Sequence, residues 1–244
     1  MIISKHIGDQ VYQFEVSKRR HQKRIIVRPK TAGLYTVTAP KHCRRSTIEN
    51  MIDAHRDTIL KMSPLYDLNV DYQVGQTITI FNEPVKIVQE SGKPAIRKEG
   101  NRLIVFGVDA DRDAVKKRIT AYLQTVFVEA LEALVLKYRY AVQGTDLKQL
   151  SFRVKQLKSK FGSCQPKALK VTMNLELIHY PKNFLTFIFL HEISHLVHQN
   201  HSKAFYQFFA TLYPDYKHAR VQLNYLRSRL YKDGFKGLIQ ALDA

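Results

Sequence analysis

The sequence predicts an α+β protein. Period-two strands fill the first 109 residues, an unbroken 3.6-residue periodicity begins at Asp111, and a wholly apolar segment, Phe184–Leu190, leads into a histidine-rich stretch. A β-rich N-terminal region with one helix is therefore expected over residues 1–109, and a second domain over residues 110–244.

Val11–Val16 alternates after a Gly8-Asp9 turn, and Lys23–Arg28 and Leu34–Thr38 flank a turn at Lys30–Gly33, so two adjacent hairpins are expected. Between them the run Lys18-Arg19-Arg20-His21-Gln22-Lys23-Arg24 reads either as a solvated loop or as a phosphate-binding patch. Ser46-Thr47-Ile48-Glu49 has the form of a capping box, in which hydroxyl and carboxylate satisfy each other's free backbone N–H groups. It should open a helix to about Met62, closed by Pro64. Strands follow at Gln76–Phe81, Val85–Val88 and Arg102–Phe106, with turns at Asn82-Glu83-Pro84 and Gly100-Asn101.

From Asp111 to about Tyr140 apolar residues recur at spacings of three and four, as at Ile119, Leu123, Phe127 and Leu131, which predicts one long amphipathic helix that serves as scaffold. Leu150–Lys155 and Ala168–Met173 read as strands on either side of a turn at Gln165-Pro166-Lys167. Pro181 stands just before the next helix, where a missing N–H does no harm. The sequence contains no internal repeat and no low-complexity segment.

A hydrophobic content of 45% over 244 residues can bury a proper core and excludes a disordered chain. No uninterrupted apolar run approaches the ~18 residues of a membrane span, and Met1–Asp9 lacks the apolar stretch of a signal peptide, so no membrane partner and a cytoplasmic location are expected. Cys43 and Cys164 are too few for a disulfide framework and lack C-x-x-C spacing. The formal charge of +18, from 39 Lys and Arg against 21 Asp and Glu, makes nucleic acid a candidate partner, although no helix-turn-helix, zinc-finger or RNP-type motif accompanies it.

The chemistry concentrates in His191-Glu192-Ile193-Ser194-His195. On a helix His191 and His195 lie about 40° apart on one face and roughly 6 Å apart along the axis, so both imidazoles can reach one metal ion. Glu192, one position on, can take a proton from water at that metal. Catalytic zinc sites use three protein ligands, and no Glu follows Glu192, which leaves His198, His201, Asp215 and His218 as candidates for the third. His201 fits if the helix ends first: Asn200 accepts the left-handed conformation of a helix end, and Ser202 suits the start of another helix. His198 falls near the face of His191 but roughly 10 Å along the axis from it. Cys164 in Gly162-Ser163-Cys164 reads as a small buried residue rather than a nucleophile or fourth ligand, with Gly162 allowing a turn.

Together with Lys158–Cys164, Met173-Asn174-Leu175, Asn200-His201-Ser202, Phe205 and Tyr213–Lys217, this motif resembles the YgjP-like metallopeptidases, relatives of the SprT and WLM zinc proteases. The resemblance is densest from about Leu150 to Leu226. It implies a zincin-like catalytic domain built on an active-site HExxH helix, with His191, His195 and His201 as Zn2+ ligands, Glu192 as general base and a peptide or protein as substrate. Phe161 stands where the family commonly has Trp, and His198 occupies the position of the glycine found in metzincins.

The mechanism expected is zinc-dependent peptide hydrolysis, with an extended substrate pairing against an edge strand, residues 168–173, beside the metal helix, and Tyr206, Tyr213 or Tyr216 as candidate oxyanion donors. Two other readings stand beside it. The same metal site among lysines and arginines could hydrolyse a nucleotide phosphoanhydride, or the chain could be a nucleic-acid-binding module with a structural metal, which needs a fourth protein ligand from His198 or Cys164.

Overall fold

The computed structural model describes residues 1–7, 10–31, 34–56, 59, 72–107, 111–157 and 160–243. The chain divides into two compact units, Met1–Leu68 and Asn69–Ala244, and the described elements are mixed α+β.

In the first unit β1 (Ile2–Ile7) and β2 (Gln10–Arg19) form one antiparallel pair, and β3 (Ile26–Thr31) and β4 (Leu34–Pro40) form another. The inner strands β2 and β4 run parallel, giving the order β1-β2-β4-β3. Period-two alternation along β4 buries Tyr35, Val37 and Ala39 against Phe14, Val16 and the α1 residues Ile48 and Ile52. β1 escapes a reading by pattern because its residue types, Ile-Ile-Ser-Lys-His-Ile, do not alternate, although its burial does, with Ile3 inside and Ile2 and Ser4 outside.

Helix α1 (Arg45–Ala54) does not use the expected capping box. The chain turns through residues 41–44 and enters the helix with Arg44 as N-cap, so Ser46 falls inside the first turn and Glu49 instead accepts an ion pair from Arg45 at 2.8 Å. The expected helix end at Met62 and the Pro64 stop lie outside the described residues.

The second unit contains β5 (Thr77–Ile80), β6 (Glu83–Glu90), β7 (Ala95–Glu99) and β8 (Arg102–Phe106) in the order β5-β6-β8-β7, again with a parallel inner pair and again followed by a helix. The first four strands and α1 thus share their topology with β5–β8 and α2 (Arg112–Lys137). No sequence repeat betrays this, since turns and alternation, not residue identities, carry the topology.

Asp111 caps α2 by accepting from the Asp113 N–H at 3.0 Å, and the helix buries Ile119, Leu123, Phe127 and Leu131 along the expected stripe. It ends three residues earlier than the periodicity suggested. Its length and the apolar character of one 18-residue window would by themselves suit a membrane crossing, and a third of that window is buried inside the unit.

The third sheet holds β9 (Ser151–Lys155), β10 (Gly162–Gln165) and β11 (Lys170–Asn174) in the order β10-β11-β9. The strand read as an edge is therefore central: β11 pairs on both sides, and among the described strands β10 is an edge instead. Helix α3 (Lys182–Ser194) packs against β10 and α4 (Lys203–Leu212), and α5 (Tyr216–Leu242), broken at Gly234 (φ 62°), completes the unit.

A 3-10 turn, Leu175–His179, clamps the second sheet to the foot of α3. The His179 Nδ1–H donates to the Thr79 carbonyl at 2.7 Å, the Tyr72 hydroxyl donates to Nε2 at 3.0 Å, and the Thr79 hydroxyl donates to the His179 carbonyl at 2.7 Å. Burial pushes the His179 pKa down to about 4. Because the unfolded histidine binds its proton near pH 6.5 while the folded one does not until about pH 4, the unfolded state binds more protons between those values. The clamp's contribution is full above about pH 6.5 and should fade as the pH falls to about 4, by on the order of 3 kcal/mol. Urea titrations of metal-free protein across this range should show the loss, and His179→Gln should flatten it relative to wild type.

Candidate metal centre

Helix α3 is apolar all round, with Phe184, Leu185, Phe189, Leu190 and Ile193 buried, so packing rather than amphipathicity fixes its position. Its end differs from the expected bend. The helix stops at Ser194 with His195 as C-cap, and the bonds His195 N–H to Glu192 O, Leu196 N–H to Ile193 O and Val197 N–H to Ser194 O tighten the chain into shorter turns. The reversal thus begins five residues before Asn200, which does not adopt the left-handed conformation; among the described non-glycine residues only Phe81, Asn82 and Leu169 have positive φ. Ser202 caps α4, accepting from the Phe205 N–H at 3.3 Å, and the intervening turns carry His201 back over α3.

The structure brings His191, His195 and His201 together, one potential ligand atom of each lying within 4.8 Å of the others. The Nε2 atoms of His191 and His201 face each other at 3.0 Å. The His195 Nδ1–H donates to the His198 carbonyl at 3.1 Å, which fixes the tautomer and leaves Nε2 to face the other two rings. Phe205 packs against all three, with ring centroids 5.1, 4.7 and 4.8 Å from those of His191, His195 and His201. Burial first, and then His195, His201 and Arg220, lower the His191 pKa to about 3, and burial likewise lowers that of His201. Three imidazoles, converging without an intervening acid among the described residues, form a donor set that suits zinc.

The other candidates do not join this cluster. The His198 ring packs against Phe208 at 6.0 Å while its carbonyl orients His195. His218 pairs with Asp215 at 3.3 Å on an exposed turn of α5. The Cys164 thiol is pushed up to about 12 by burial and by Glu192, which keeps it protonated and argues against both a nucleophile and a thiolate ligand.

Glu192 is buried, 5% exposed, against β10. A Cβ built on Gly162 would lie 2.6 Å from its Oε1 and 2.7 Å from its Cγ, so Gly162 serves close approach, not the turn expected of it. Burial raises the Glu192 pKa to about 7, and Lys160 opposes the shift.

The strand carrying Gly162 is held from two sides. Asn174 accepts from the Leu157 N–H at 3.1 Å and donates to the carbonyls of Leu157 and Lys160 at 2.9 and 3.0 Å. Glu176, at the foot of β11, receives a two-pronged ion pair from Arg227 at 3.0 Å and a Tyr180 hydroxyl at 2.6 Å. The Arg227 guanidinium lies 4.2 Å from the centre of the Phe161 ring, securing the residue before Gly162.

The centre opens into a cleft of about 880 Å³ between β10 and one face of α5, to which Tyr216, Arg220, Asn224 and Arg227 contribute. Tyr206 and Tyr216 stack at 5.7 Å and line the cleft, whereas Tyr213 packs on Phe187 at 5.5 Å and does not. Of these α5 residues sequence reasoning singled out Tyr216 and missed Arg220, Asn224 and Arg227, although their spacing of three and four is a legible helical face.

A family model described as "YgjP-like, metallopeptidase domain" matches residues 23–226. The match extends well beyond the motif-rich stretch, into most of the β-rich N-terminal region. Comparison with curated proteins finds no match.

Proposed function

The chain belongs to the YgjP-like metallopeptidase family, and on that premise we propose that it is a zinc-dependent peptidase in which His191, His195 and His201 hold the metal and Glu192 is the general base. The observation that carries this reading is the convergence of three imidazoles at the end of a helix whose Glu192 carboxyl is pressed into the cleft wall. When bound, the ion supplies Lewis acidity that acidifies water and polarises the scissile carbonyl. Glu192 takes the proton of the attacking water and returns it to the leaving amine. The outer edge of β10 receives the extended substrate by strand addition, and Tyr206 or Tyr216, both of which line the cleft, donates to the developing oxyanion.

A second reading, hydrolysis of a nucleotide phosphoanhydride, is favoured by one observation: Lys160 and Arg220 line the cleft without an ion-pair partner among the described residues. Side-by-side assays of zinc-loaded protein on casein-derived peptides and nucleoside triphosphates decide between the two. The peptidase reading expects peptide cleavage and only background release from nucleotides. Arg220→Ala should then leave hydrolysis of neutral peptides within about twofold of wild type. Robust nucleotide hydrolysis whose KM rises about tenfold in Arg220→Ala would instead assign the cleft to phosphates.

A further inference from the structure

The first unit concentrates positive charge at one end of its sheet. From Val16 to Ile48 the chain holds ten Lys or Arg and no Asp or Glu. Parallel pairing sets Arg19 opposite Pro40, so β2 and β4 leave the sheet at the same end, and β3 begins there too, with Ile26 opposite Thr38. Because β4 lies between β2 and β3, the connection 20–25 must pass the end of β4, where residues 41–45 continue. Two basic runs far apart in sequence, 18–24 and 41–45, therefore meet at one corner, and all eight of their Lys and Arg side chains are exposed. Of these eight, Arg45 is held by Glu49 at 2.8 Å. The first turn of α1, which no side chain caps, starts among them.

The fold does not require this charge. The second four-stranded sheet has the same topology, and the equivalent connections there mix both signs, with Lys93 and Arg112 against Glu90, Asp109, Asp111 and Asp113. The exposed residues between the cations include Ser17, His21, His42, Ser46 and Thr47, which offer hydrogen bonds, and no large exposed hydrophobic side chain lies among them. A membrane-docking surface would present aliphatic or aromatic residues for insertion. A surface of clustered guanidinium and ammonium groups interleaved with small polar side chains instead matches a phosphodiester backbone.

We propose that this corner of the first unit binds nucleic acid through its phosphates, without reading sequence. The inference is independent of the reaction in the second unit. It is tested with full-length protein by fluorescence anisotropy of a labelled oligonucleotide of about twenty nucleotides, single-stranded and duplex, over a series of salt concentrations. Binding should weaken steeply with salt, and R19E/R20E/R24E should lose about tenfold or more in affinity with an unchanged circular dichroism spectrum. An equal charge change at exposed residues of the second unit, K117E/K148E/K167E, should cost about twofold. Should the triple reversal fail to fold, the milder pair R20Q/R24Q must still weaken binding more than K117Q/K148Q. Equal losses in the matched variants, binding indifferent to salt, or capture only by phosphatidylserine vesicles would overturn the proposal.

Discussion

Replacing Glu192 with Gln should lower peptide hydrolysis by about a thousandfold while leaving bound zinc unchanged. The substitution keeps the side chain's shape in a site where a Cβ on Gly162 would already collide with it, so packing against β10 should survive. What is lost is the one carboxyl group that the described residues contribute to the cleft lining beside the histidine cluster. The amide cannot accept the proton of the attacking water, nor hand one to the leaving amine. Turnover and metal content measured on the same preparation separate this outcome from misfolding. A variant with normal zinc and full turnover would remove Glu192 from the chemistry.

Gly162→Ala should be nearly as damaging, for a geometric reason. The new methyl group would meet three Glu192 atoms at 2.6 to 2.9 Å, and the β10 backbone cannot retreat because it is paired with β11 at Met173. Phe161, just before it, is fixed beneath Arg227. Glu192 must therefore rotate, and displacement of a catalytic group by about 1 Å costs on the order of a hundredfold in turnover. Overpacking should also lower stability by about 1–3 kcal/mol. A crystal structure of the variant should show the carboxyl displaced with the three histidines in place. Wild-type turnover in Gly162→Ala would mean that Glu192 need not sit against β10.

The parts of this fold legible in the sequence are those set by local periodicity. The α2 stripe from Ile119 to Leu131, the alternation through β4 and the position of α3 after Pro181 each depend on neighbours within a few residues. The parts that were not legible depend on distant partners. Ser46-Thr47-Ile48-Glu49 looks like a cap, but where the helix starts is decided by the turn that leaves β4. Ala168–Met173 looks like an edge strand until β9 and β10 flank it. Gly162 looks like a turn residue because nothing local reveals Glu192, thirty positions away, pressed against it.

The histidine cluster shows both sides of this division. Helical spacing alone aligned His191 with His195, and the need for the chain to reverse pointed to His201. The reversal itself, however, uses tightened turns from His195 onward and not a left-handed Asn200, and the orienting role falls to the His198 carbonyl, which no side-chain motif records. Arg220 and Asn224 reach the cleft only because α5 folds back across it.

Metal content tests the central claim most directly. Wild type, His201→Ala and His198→Ala should be loaded with zinc, dialysed and measured by elemental analysis. Wild type should hold about one equivalent and His198→Ala about the same, since its backbone carbonyl is retained, while His201→Ala should lose its metal. Zinc retained in His201→Ala and lost in His198→Ala would contradict the three-histidine centre.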